Sequence, residues 1–184
     1  PFDEAFWTSP KAKAVETMAP EDLRPQVEGH LKQLGERYFV AFTPPQIVAH
    51  MACLDEARSN GLSVRVEERS DTGTSDVVVC TRSRHGLFAQ IAGCLTAQLA
   101  DGRRAAVFTP ADGFAVDRFT VVDAANRRAL TAGQVKSLTR NLERVLLDED
   151  PVQELVDKLR NRLFGFNKVR VPIPTRISFD NEAS

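Results

Sequence analysis

The order of hydrophobic periods between residues 76 and 147 constrains this chain more than any other feature. Val77, Val78 and Val79 form a short β-branched run, the mark of a buried strand. Arg82-Ser83-Arg84-His85-Gly86 breaks it, and Leu87, Phe88, Ile91, Ala92 and Leu95 then recur at helical spacing. Residues 105–109 and 114–122 read as two strands around Pro110-Ala111-Asp112-Gly113, whose Asp-Gly pair favours a tight hairpin. Thr131 followed by Gln134 has the pattern of a capping box. It opens a helix over 131–147 whose apolar stripe is Val135, Leu138, Leu142, Val145 and Leu146.

The resulting order, β-α-β-β-α, is one strand short of a split βαβ sandwich. The fold class expected is therefore α+β and ferredoxin-like (βαββαβ), an antiparallel sheet with two helices on one face. The closing strand could be Val169-Arg170-Val171 or Ile177-Ser178-Phe179; Pro172 and Pro174 favour the latter for a central position. Leu62, Val64 and Val66 alternate with polar residues, and Ser70-Asp71-Thr72-Gly73-Thr74 turns them back, which predicts an extra strand. Upstream the chain is helical and punctuated by proline. Pro44-Pro45 after Thr43 starts a helix that Asn60-Gly61 stops. Val152, Leu155, Val156 and Leu159 mark another short helix, followed by a basic connector over 160–174. The organisation expected is a helical connector over 1–35 and a regulatory-sized domain over 36–184, with its core near 62–148 and its closing strand near 176–180. Trp7, Phe2 and Phe6 are expected to bury against a missing domain. A start without methionine suits a piece of a longer protein.

Composition excludes several roles. With 24 basic and 25 acidic side chains the formal charge is −1, so nothing draws the chain to nucleic acid or an anionic membrane. The apolar runs are too short to span a bilayer, and no leader opens the chain. Cys53, Cys80 and Cys94 lack paired spacing and are read as reduced core thiols, which suits the cytoplasm.

Catalytic and metal-binding patterns are also missing. His30, His50 and His85 show no ligand spacing with one another or with the cysteines, so no metal site is expected. Asp148-Glu149-Asp150 has an Asp-x-Asp spacing but no Gly-Ser turn ahead of it, and reads as a solvated helix end. What remains is the turn at 82–88. A helix that opens on glycine just after a strand offers free N–H groups to a carboxylate. Arg82, Arg84, Arg103 and Arg104 would add a small basic cluster if that turn and the second strand lay side by side.

The segment from Asp76 to Gly93 resembles the opening of an ACT domain, a small regulatory module that commonly binds amino acids. Residues 36–50 and Arg176-Ile177-Ser178-Phe179-Asp180-Asn181-Glu182-Ala183-Ser184 resemble segments flanking the first ACT domain of the bifunctional PII uridylyltransferase/uridylyl-removing enzymes. In that family Phe-Asp-Asn-Glu-Ala-Ser leads into a second ACT domain. The resemblance implies an effector site built from Arg84, His85, Gly86, Leu87, Phe88, Asp101, Gly102 and Arg103, completed by a neighbouring domain. It implies sensing of glutamine or another small amino acid, with catalysis elsewhere in the parent. There magnesium and UTP serve uridylyl transfer to PII, and this piece needs no cofactor. The partners implied are the second ACT domain, the parent's catalytic domains and, through them, PII. The turn departs from the family pattern: Ser83 stands where an acid is usual and His85 where proline is. An architectural module that binds no ligand is the alternative.

Overall fold

The computed structural model describes residues 4–148 and 150–164. Four helices lead into the sheet: α1 (Glu4–Trp7), α2 (Pro10–Met18), α3 (Val27–Ala41) and α4 (Pro44–Asn60). Ser9 caps α2 by accepting from the Ala12 N–H at 3.2 Å, with Pro10 in the first turn where no donor is needed. Gly35 leaves helical geometry with φ 81°, which breaks α3 in two. The Thr43 N–H donates to Gln46 Oε1 at 3.0 Å at the start of α4, and Gly61 ends that helix in the left-handed conformation.

The rest of the chain follows the expected order. β1 (Leu62–Arg69) and β2 (Thr74–Arg82) form a hairpin; α5 (Leu87–Ala97), β3 (Ala100–Phe108), β4 (Phe114–Asp123), α6 (Ala132–Leu146) and α7 (Val152–Phe164) come after it. The sheet order is β1-β2-β4-β3 and every pairing is antiparallel. β2 and β3 are thus parallel to one another on either side of β4, joined over one face by α5, a split βαβ unit. β1 fills the place beside β2 that the closing strand of a ferredoxin-like sheet would take. The closing strand expected near 176–180 lies outside the described residues.

Register places each residue on a face. Leu62, Val77, Val79, Phe119 and Val121 meet Leu87, Ile91, Leu95, Leu138 and Leu142 of α5 and α6 in the larger core. Each such side chain contributes roughly 1.5–3 kcal/mol on burial. The capping box at Thr131 is formed, with the Thr131 N–H donating to Gln134 Oε1 at 2.9 Å. α7 lies against α5 at Gly93, where a Cβ would come 2.5 Å from Val152 Cγ2.

The opposite face is covered too, beyond the two-helices-on-one-face expectation. Cys53, Leu54 and Ala57 of α4 pack on Val78, Cys80 and Val116. This is why the middle of β2, from Val77 to Cys80, is apolar on both faces. Side chains of the first 35 residues pack with the helices that follow. Val15, Leu23 and Leu31 share one core with Tyr38, Phe39, Phe42, Ile47 and Met51, and Phe108 of β3 joins it. Phe6 and Trp7, both partly buried, make contacts within this chain: the Phe6 ring lies 4.3 Å from the Phe39 ring and 4.8 Å from that of Trp7. Phe2 lies outside the described residues.

Candidate functional site

The turn between β2 and α5 has the expected shape. Gly86 precedes α5 in the left-handed conformation, φ 79°, which suits glycine. His85 and Gly86 are exposed, Leu87 is buried in the core, and Phe88 is 49% exposed with its ring 5.5 Å from that of Phe119. Arg84, however, is engaged elsewhere. Its guanidinium donates to the Leu146 carbonyl at 3.0 Å, the Val145 carbonyl at 3.3 Å and Gln90 Oε1 at 3.1 Å. These contacts close the free carbonyl end of α6, where a cation is favoured. Arg84 is therefore a structural clamp between α5 and α6.

Asp101, Gly102 and Arg103 sit at the other end of the sheet. Gly102 pairs with Val121, which pairs with Ser75 at the start of β2, whereas the 84–88 turn follows the far end of that strand. At 3.3 Å per residue the two groups are roughly 20 Å apart within one chain. Asp101 accepts from Arg127 Nη1 at 2.6 Å and lies 3.6 Å from Arg103. The four arginines considered together in the sequence accordingly split into two pairs. Arg82 stacks over Phe114, while Arg103 and Arg104 join a different set of charges.

That set occupies the open half of the α4-side face. Register aligns three rows there, and the outer two contrast: Ser63-Cys80-Val116-Phe108 is apolar apart from one hydroxyl and Glu67-Asp76-Thr120-Arg104 is polar, with Arg65-Val78-Arg118-Ala106 between them. α4 and the aromatic side chains cover the apolar row and leave the polar one open. Asp76 is 5% exposed and fully engaged: Oδ2 accepts from Arg118 Nη2 at 2.5 Å and Oδ1 from the Thr120 hydroxyl at 2.8 Å. Arg69 adds a looser contact at 3.6 Å. The Arg118 guanidinium also lies 5.5 Å over the Phe42 ring, which fixes its plane. A β-bulge between Gly102 and Arg104 lets two successive arginines reach the same side, which a regular strand would forbid. Two adjoining cavities, of about 230 and 280 Å³, share Arg69, Asp76 and Arg118 as a common wall. The sequence did hint at this, since Arg118 and Thr120 alternate with Phe119 and Val121.

Three buried polar features lie apart from these cavity walls or border them. Asp117 falls in the row Val64-Val79-Asp117-Val107 on the α5 side, and its Oδ1 has no hydrogen-bond partner. Burial pushes its carboxyl up to about 6. Between α3 and α4, Tyr38 Oη lies 3.1 Å from His30 Nε2 and 2.9 Å from His50 Nδ1. Burial lowers His30 to about 4 and His50 to about 3, so both rings are neutral and the phenol can donate to one and accept from the other. Cys53, Cys80 and Cys94 are buried free thiols, and burial pushes Cys94 up to about 11.

Among the described residues no group of three or more His, Cys, Asp or Glu side chains converges. In the Asp-x-Asp segment, Asp150 Oδ2 accepts from Arg144 Nη2 at 2.5 Å. Among the described residues no helix is long and apolar enough to cross a membrane.

The fold is thus a ferredoxin-like α+β sandwich, consistent with an ACT fold, carrying a second helical layer on its other face. The chain is similar to one segment of the bifunctional uridylyltransferase/uridylyl-removing enzymes. It is 30% identical to that of Azospirillum brasilense over 161 residues, covering 85% of this chain and 17% of the enzyme. Identity to the enzyme of Rhodospirillum rubrum is 29% over 149 residues, covering 80% of this chain and 16% of the relative. For that of Phenylobacterium zucineum it is 33% over 103 residues, or 56% and 11%. The chain therefore spans about a sixth or less of the length of these relatives. No family model matches it.

Proposed function

We propose that this chain is the amino-acid-sensing regulatory module of a bifunctional PII uridylyltransferase/uridylyl-removing enzyme, with glutamine as the effector. The observation that carries this reading is the split βαβ sheet whose helix α5 opens on the left-handed, exposed Gly86, in a chain similar to one segment of that enzyme. The exposed His85-Gly86-Phe88 edge is where a ligand carboxylate would meet the first-turn amides. Because Asp101–Arg103 lie at the far end of the same sheet, a pocket using both groups needs a neighbouring ACT domain to supply one of them. Sensing then works by population shift: glutamine favours the arrangement of domains in which the pocket is complete. In the parent this would move the balance from attaching UMP to PII, with UTP and magnesium in another domain, towards removing it.

One observation favours the architectural alternative. β3 is an edge strand of the described sheet, its Val107 is 47% exposed, and an edge of that kind is an obvious place for a second sheet to pair. Calorimetric titration of glutamine into this chain, into a piece that includes the following domain and into the whole enzyme separates the two. Heat only in the longer proteins supports a pocket between domains. The absence of heat in all three leaves the architectural role.

A further inference from the structure

The paired cavities on the open half of the sheet are unrelated to the Gly86 edge and have their own chemistry. Five arginines line them (Arg65, Arg69, Arg103, Arg104 and Arg118), against only two carboxylates, Asp76 and Glu67. His50, on the same wall, is neutral and adds nothing to the balance. Three of these arginines have further carboxylates beside them at the rim, Glu56, Asp71 and Asp101, so the recess is rich in guanidinium donors without a large net charge. A concave, partly desolvated surface strengthens what such donors offer an incoming group.

The pairing of these arginines shows which are engaged and which are available. Arg118 is anchored on Asp76 at 2.5 Å and Arg65 on Glu56 at 2.6 Å. Arg69 makes two long bonds to the exposed Asp71, at 3.4 and 3.5 Å, and lies 3.6 Å from Asp76, while Arg103 stands 3.6 Å from Asp101. Arg104 has no acidic partner among the described residues. Asp76 is engaged by Thr120 and Arg118, so it orients Arg118, and an incoming group would have to displace only the solvent-exposed Asp71 from Arg69. The N-terminal end of the 17-residue α4 borders the same cavity through Thr43 and Gln46, and its dipole carries the same sign as the arginines. Ala49 and Val78 give the recess an apolar floor.

We propose that this recess is a binding site for a small oxyanion-bearing metabolite, a carboxylate or a phosphate, seated against the shared wall of Arg69 and Arg118. Guanidinium groups recognise both chemistries in the same two-pronged way, so the shared chemistry is the oxyanion. The β-bulge at Arg103 is part of the site, because it brings a second flexible guanidinium to the rim.

The test uses the 184-residue chain, with inorganic phosphate in one calorimetric titration and succinate in another, at constant ionic strength. At least one should bind saturably, and which one does identifies the class of ligand. Arg69→Gln should weaken that binding at least about tenfold, the loss of one charge-assisted contact. Arg82→Gln, at the other end of the sheet, should leave it unchanged. Arg69 is chosen over Arg118 because its side chain is 40% exposed and its removal strands no buried carboxylate. Circular dichroism confirms that the variant is folded, and amide shifts on titration should map to β1, β2, β4 and the start of α4. The proposal is overturned if neither anion saturates up to tens of millimolar, if Arg69→Gln binds as tightly as the parent, or if the shifts map to the start of α5.

Discussion

The two faces of the sheet are built from the same four strands and have opposite characters. On the α5/α6 side most inward residues are apolar, with Asp117 in the middle of the rows that register aligns there and Thr81, Ser75 and Glu68 towards their ends. On the α4 side the strands change character halfway along: Cys80 and Val116 are core, whereas Asp76, Arg118 and Thr120, a few residues away on the same strands, are a charged network. A helix can cover only part of a four-stranded face, so the uncovered part must be soluble in its own right. The contrast teaches that the first face specifies the fold, and the second has surface left over for recognition.

The comparison breaks first if the two faces respond alike to truncation. Leu142→Ala, in the fully buried stripe of α6, should cost about 2–5 kcal/mol in denaturant unfolding, through lost burial and the cavity it leaves. Arg104→Ala on the open face should stay within about 0.5 kcal/mol. Next in size is Asp76→Ala. It leaves Arg118 without its carboxylate beside an apolar floor, and should cost about 2–3 kcal/mol, less than a fully buried pair because Arg118 is 18% exposed. A loss equal to that of Arg104→Ala would mean that the network is only surface decoration.

The helical layer gives a third effect, through pH. His30 and His50 have folded values of about 4 and about 3, below the ordinary 6.5, so the unfolded chain binds more protons between those limits. Stability is therefore complete above about 6.5 and falls as pH drops towards 4. Thermal melts across this range should show the loss, on the order of 3–4 kcal/mol by pH 5 for the two rings together. Tyr38→Phe removes the hydroxyl both rings share and should cost about 1–3 kcal/mol at neutral pH. A melting temperature flat from pH 7 to 5 would refute the neutral, buried pair.

Asp117 acts in the opposite direction and more weakly. Its folded carboxyl is raised to about 6 from 3.8, so the unfolded chain gives up the proton first as pH rises. Its contribution is present below about 3.8 and is lost between there and about 6. Asp117→Asn should accordingly stabilise the protein by about 1–2 kcal/mol at pH 7.5 and show no gain at pH 4. A gain that persists at pH 4 would point to packing in place of ionisation.

Local signals made much of the fold legible. Periodicity located β2, α5, β4 and α6, and Thr131, Gln134 and Gly61 marked helix ends that the structure keeps. What could not be read was non-local. The apolar run Val77-Val78-Val79 states that both faces of β2 are covered, but nothing near it says that α4 is the cover. The early residues of β3 are polar and contain Gly102; they are strand because β4 offers a pairing edge. Tyr38, Phe39 and Phe42 meet α2 and Phe108 only once the chain has doubled back. Of the open-face site, Arg103 and Arg104 were noticed for the wrong neighbours, because their companions Arg69 and Arg118 come from other strands.

Arg84 is the smallest effect and the sharpest case of that difficulty. In the sequence it belongs to a turn with the look of an anion site, yet its guanidinium is committed to carbonyls 61 and 62 residues away. A cation at a partly buried helix C-terminus contributes about 0.5–1 kcal/mol. Arg84→Met keeps the aliphatic stem and removes only the charge and its donors, so it should lower the melting temperature by roughly 2–4 °C in a chain of this size. Lys should recover part of that loss, since it restores the charge but not the fork that spans two carbonyls. An unchanged melting temperature would mean that α6 ends without this clamp, and would return Arg84 to the Gly86 edge as a free cation.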